Sequence, residues 1–152
     1  LRTYRGAVLL IPLTFVCYAL GLQRFWLLFL LTEASSLAVF LLLGPEGTAL
    51  RQRPDTGLLA GLWEYPHVPG RLTEEQAARQ LRQWGLTPRA WLRQLDARHI
   101  FTHIRWEMTG YLVQVEGLGP ADWLWADGAR RQRLAIPSAF DQFTRALPAE
   151  GD

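Results

Sequence analysis

Three short stretches hold the side chains that could do chemistry. His99-Ile100-Phe101-Thr102-His103 sets a hydroxyl between an aromatic ring and an imidazole, and a hydroxyl both donates and accepts hydrogen bonds. The plainer account of this stretch is a strand end with a packed Phe and two surface histidines. His99 and His103, four apart in extended chain, leave a turn on opposite sides and do not converge on a metal, and no Cys or second carboxylate helps them. Arg51 and Arg53 alternate on one face of an early strand. Their planar forks suit phosphates and base edges, although an exposed strand face explains them equally well. Glu74 and Glu75 stand at a helix start, where they complement the dipole. Cys17 is the sole cysteine, so no disulfide framework, zinc site or iron–sulfur cluster can be built from this chain alone.

These residues need a frame, and 152 residues with 49% apolar side chains can bury one sizeable core. The formal net charge is +2. Residues 44–152 carry thirteen Arg against thirteen acids, so that part is not a general electrostatic sponge for phosphate. Residues 1–37 differ sharply. Gly6 to Leu22 is seventeen residues without a charge, and Phe25 to Leu31 is again wholly apolar. That length is the lower edge of a membrane span, and Pro12 interrupts it. Three readings stay open for this lead-in: a signal-like or membrane segment covering residues 7–31, a buried helix, or translation in a wrong frame. Residue 1 is Leu, read here as a start inside a longer reading frame.

From Ala38 to Leu147 the pattern is that of a compact α+β domain, followed by a tail at 148–152. Ala38–Leu43 reads as a buried strand, Gly44-Pro45-Glu46-Gly47 as a turn and Thr48–Arg53 as the returning strand. Leu58–Tyr65 follows as a glycine-flexed loop and short strand. Thr73-Glu74-Glu75-Gln76 is a capping box that predicts a helix from Thr73, with Ala77, Leu81 and Trp84 inward and Gly85 as the stop. Trp91–Phe101 and Trp106–Glu116 read as two long strands. In the second, Trp106, Met108, Gly110 and Leu112 share one face and Tyr111, Val113 and Val115 the other. A short strand at Asp122–Trp125 and a terminal helix opened by Pro137 complete the order. In that helix Phe140, Phe143, Thr144 and Leu147 turn inward.

Arg51-Gln52-Arg53-Pro54, the run Gly57 to Trp63-Glu64-Tyr65-Pro66, and Phe101-Thr102-His103 at their separation resemble the C-terminal domain of MutY-type adenine DNA glycosylases. That domain is similar to a degenerate Nudix fold, so the resemblance implies a Nudix-like mixed β-sheet with flanking helices, preceded here by the apolar segment. Active Nudix hydrolases place an Arg-Glu-x-x-Glu-Glu set on the helix, because Mg²⁺ needs clustered carboxylate oxygens. Arg79-Gln80-Leu81-Arg82-Gln83-Trp84-Gly85-Leu86 has Gln, Arg and Trp there, so no catalytic residue and no metal ligand is assigned.

The resemblance implies that Phe101, Thr102 and His103 read 8-oxoguanine, with Thr in place of the family's Ser. The oxidised base differs from guanine by an N7–H donor and an O8 acceptor, which one hydroxyl can match. It further implies duplex DNA containing 8-oxoguanine opposite adenine as partner, with Arg51 and Arg53 toward the phosphates. A separate catalytic domain would carry the glycosylase chemistry and a 4Fe–4S cluster, and the setting would be the nucleoid in the cytoplasm. Two alternatives remain open: a Nudix-like hydrolase of nucleoside diphosphate derivatives, and a membrane-anchored Nudix-like module.

Overall fold

A computed structural model describes residues 35–56, 59–100 and 105–149. The stretch 7–31, Gly57 and Phe101, Thr102 and His103 lie outside the described residues. Ser36–His99 and Trp106–Asp152 form one compact unit. Its elements run β1 (Ser35–Gly44), β2 (Gly47–Gln52), β3 (Trp63–Glu64), β4 (His67–Pro69), α1 (Glu74–Gln83), β5 (Thr87–Ile100), β6 (Arg105–Glu116) and β7 (Leu124–Ala126). There follow α2 (Gly128–Arg133), a 3₁₀ turn (Ser138–Phe140) and α3 (Asp141–Ala146).

The sheet is ordered β3-β2-β1-β6-β5, with β4 paired to β1 and β7 to β2. β1 and β2 form the expected hairpin, Leu43 opposite Thr48 and Gly44 opposite Gly47. Leu43, Gly44, Gln114 and Glu116 line one surface hollow, so the C-terminal ends of β1 and β6 lie side by side and the sheet is mixed. β1 begins at Ser35, three residues before the expected start, and its run Ala38–Leu42 is wholly buried. An unbroken apolar run of this kind is what a strand covered on both faces requires.

Helix α1 forms because its first turn is capped as the sequence predicts. Thr73 Oγ1 accepts from the Gln76 backbone N–H at 3.2 Å, and Gln76 Oε1 accepts from the Thr73 N–H at 2.9 Å. It stops at Gly85, whose φ of +80° is one that a side chain would resist. The helix lays Ala77 and Leu81 on Ala38, Phe40, Leu42, Tyr111, Val113 and Val115. Phe40 meets Trp84 edge-on at 5.2 Å and stacks on Tyr111 at 5.8 Å. On the other face Trp106 approaches Phe140 at 6.1 Å, and Phe140 and Phe143 are fully buried. The two faces assigned to β6 are thus both covered, one by α1 and one by the C-terminal turn and helix.

β5, β7 and the terminal helix also depart from the sequence expectation. β5 starts at Thr87 rather than Trp91, with Pro88 inside it, which an outer strand of the described sheet tolerates because a position on its free side need not supply an N–H to a ladder. β7 starts two residues late, at Leu124. The terminal helix divides into a 3₁₀ turn and the short α3. Among the described residues no helix is long and apolar enough to cross a membrane.

Candidate functional site

β2 and β3 pair with Arg51 opposite Glu64 and Gln52 opposite Trp63. This register sets opposite charges directly across the ladder, a favourable arrangement on a sheet face. Arg51 Nε donates to Glu64 Oε1 at 3.0 Å, and Arg53 Nη1 donates to Glu64 Oε2 at 2.7 Å. One carboxylate, 4% exposed, is therefore held by two guanidinium groups. Arg51 Nη2 also donates to the His67 carbonyl at 2.9 Å, which ties β2 to the start of β4.

His67 closes this charged knot. Its Nδ1 lies 3.0 Å from the Tyr65 carbonyl and 3.8 Å from Glu64 Oε2, and its ring stacks on Phe140 at 6.1 Å. A proton on Nδ1 donates to that carbonyl. Burial pushes the His67 pKa below its usual value; Glu64 acts in the opposite direction, and Arg51 adds to the lowering. The imidazole is accordingly neutral at pH 7, and the knot of two Arg and one Glu retains one net positive charge. Tyr65 is fully buried beside it, its hydroxyl 2.7 Å from Thr144 Oγ1, and burial raises its pKa.

The loop between β2 and β3 is pinned at its base. Arg53 N donates to the Leu62 carbonyl at 2.8 Å, Gly61 N to the Pro54 carbonyl at 3.0 Å, and Gln52 Nε2 to the Gly61 carbonyl at 3.0 Å. Gly61 adopts φ +72°, as its place in a flexed loop suggested, and Leu59 is held at φ +57°, a conformation that costs an L residue about 1 kcal/mol or more.

The sequence-assigned residues thus fall into two groups. Arg51 and Arg53 do lie together at one edge of the sheet, and both are engaged with Glu64. Phe101, Thr102 and His103 lie outside the described residues, between the ends of β5 and β6. The roles of Glu64 and His67 were not read from sequence. The available signal was the hairpin itself, since an acid returning opposite an arginine across a β-ladder is a pairing cue.

The run in the place of the hydrolase pattern reads Arg79-Gln80-Leu81-Arg82-Gln83-Trp84, with Arg79, Arg82 and Gln83 facing solvent, and Glu74 and Glu75 occupy the first turn of α1. Among the described residues no three His, Cys, Asp or Glu side chains group to hold a metal ion. A 4Fe–4S cluster takes four thiolates, and a chain with one cysteine does not supply them.

A family model described as NUDIX domain matches residues 38–146. Adenine DNA glycosylase of Homo sapiens is 42% identical over 77 residues, which are 47% of this chain and 14% of that protein. The chain spans only 14–15% of the length of the two glycosylase relatives from human and rat. The C-terminal domain of mouse MUTYH, solved in complex with human PCNA, is similar over 73% of this chain and 85% of that one, with 27% identity and a TM-score of 0.60. The E. coli ORF135 protein, 18% identical over 78% of this chain and 96% of its own, shares the fold with a TM-score of 0.55.

Proposed function

The chain belongs to the NUDIX domain family and is of the MutY C-terminal type, and on that premise we propose that it recognises 8-oxoguanine opposite adenine in duplex DNA, as the recognition domain of an adenine DNA glycosylase. The observation that carries the proposal is the outer face of α1. A domain similar to glycosylases has Gln, Arg and Trp in the run 79–84 where a Nudix hydrolase would need a carboxylate set, and among the described residues no three His, Cys, Asp or Glu side chains group to hold Mg²⁺.

In this reading the turn between β5 and β6 supplies the base contacts. The Thr102 hydroxyl accepts from N7–H and donates to O8 of the oxidised base, with Phe101 and His103 on either side. Arg51 and Arg53, after satisfying Glu64, leave one positive charge at the sheet edge for the phosphates. Hydrolysis of the adenine N-glycosidic bond, after the base is flipped from the stack, belongs to a separate catalytic domain that also carries the 4Fe–4S cluster. The setting is the nucleoid.

Substitution in the turn tests the proposal. Thr102→Ala in the 152-residue chain is expected to reduce the preference for 8-oxoguanine over guanine opposite adenine by about 1 kcal/mol, the scale of one hydrogen bond, with overall duplex affinity little changed. His103→Ala is expected to cost more than Thr102→Ala. An intact preference in both variants would make the turn structural and remove the site from Phe101–His103.

A further inference from the structure

Arg130, Arg131 and Arg133 place three positive charges within four residues on α2, and residues 128–135 contain no acid. The helix buries none of its residues, so its arginines are not needed to cover the core. It is nonetheless held firmly. β7, which leads into it, pairs with β2 (Thr48 opposite Ala126), and Asp127 Oδ1 caps it by accepting from the Arg130 N–H at 2.8 Å. Beyond the helix, the Ala135 carbonyl accepts from Trp63 N at 2.9 Å on β3.

The three arginines do not behave alike. Arg131 Nη1 reaches back to the buried Thr48 Oγ1 at 3.3 Å and so anchors the helix to β2. Arg130 and Arg133, three apart and hence on one helical face, are exposed and have no ion pair with any described residue. Unpaired guanidinium groups held on a fixed scaffold are a surface for a polyanion. A duplex presents one phosphate charge per about 1.7 Å of its axis, so two adjacent forks find partners whatever the sequence.

We propose that Arg130 and Arg133 form a phosphate-backbone contact surface for duplex DNA at the β2–β3 edge of the sheet. The inference rests on the reading of this chain as a DNA-recognition domain. It adds the backbone contact that positions the duplex, separate from the turn that reads the base. Because residues 44–152 carry equal numbers of Arg and acids, this local excess, rather than overall charge, supplies the attraction.

The test is a salt titration of duplex binding by the 152-residue chain, with Arg130→Gln/Arg133→Gln compared against Arg79→Gln/Arg82→Gln on α1, an equal loss of charge. The α2 variant is expected to lose on the order of 10-fold in affinity at 0.1 M salt, for oxidised and unoxidised duplexes alike. Its log–log salt slope should fall by about 1.8, or about 0.9 for each phosphate contact removed. Four outcomes are separable. Wild-type affinity and slope in the α2 variant, with the oxidised-base preference present, would overturn this surface and leave the functional reading standing. Equal losses in the α1 variant would also overturn it, as a general charge effect. A selective α2 loss in a chain without oxidised-base preference would uphold the surface and remove that reading. No duplex binding by the wild type would overturn both.

Discussion

The β2–β3 edge and the outer face of α1 treat charge in opposite ways. At the edge, an acid is drawn inside and held by Arg51 and Arg53, with a neutral His67 beside it. On α1, polar and basic side chains stand in water with no acid among Arg79, Gln80, Arg82 and Gln83. The carboxylate of the first region is committed to arginines, whereas the two of α1, Glu74 and Glu75, stand in its first turn, outside the run 79–84. Sequence clustering of charged residues therefore does not set their role. The nearest opposite charge in space does, and here Glu64, eleven and thirteen residues away, sets it for Arg53 and Arg51.

The comparison breaks most visibly at Glu64. Glu64→Gln keeps the shape but leaves two partly buried guanidinium groups without their carboxylate, and is expected to destabilise the fold by about 3 kcal/mol in denaturant unfolding. A loss under about 1 kcal/mol would mean that the knot contributes little. Thr73→Ala, which removes the hydroxyl from the α1 capping box, is expected to cost about 1 kcal/mol, since only one of two reciprocal bonds is lost.

His67 gives a smaller, pH-dependent effect. Its folded pKa is lowered by burial, so below about pH 6.5 the unfolded chain takes up a proton that the native chain resists. Stability is complete above that pH and is lost as pH falls toward the folded pKa. His67→Asn retains a donor for the Tyr65 carbonyl and is expected to flatten the unfolding free energy between pH 7 and pH 5.5. An unchanged slope would assign the acid sensitivity to other groups. Smallest of all, Arg79→Gln/Arg82→Gln on the exposed face of α1 should stay within about 0.5 kcal/mol of wild type by thermal or denaturant melting.

Much of the frame was legible because its signals are local. The capping box, the apolar run Ala38–Leu43 and the alternation of Trp106–Val115 each lie within one element, and each forms as its own residues dictate. β4 was missed because three residues carry no period, and α2 because Gly-Ala-Arg-Arg-Gln-Arg has no apolar face to mark a helix. β5 was begun late because Pro88 reads as a breaker until its strand is seen at an edge. The site was legible in part: Arg51 and Arg53 were singled out, but their shared acid lies across a ladder whose register depends on the loop from Pro54 to Leu62. Arg130 and Arg133 carried no motif, and only the fold shows that nothing pairs with them among the described residues.

We propose that this Nudix domain, without the carboxylate set on its helix, reads a base in duplex DNA. Equilibrium competition between two duplexes for the 152-residue chain, identical except for 8-oxoguanine or guanine opposite adenine, tests it most directly. Tighter binding of the oxidised duplex, by about 1 kcal/mol or more, is expected at every salt concentration where binding is measurable. Equal affinity for the two duplexes across that range would contradict it.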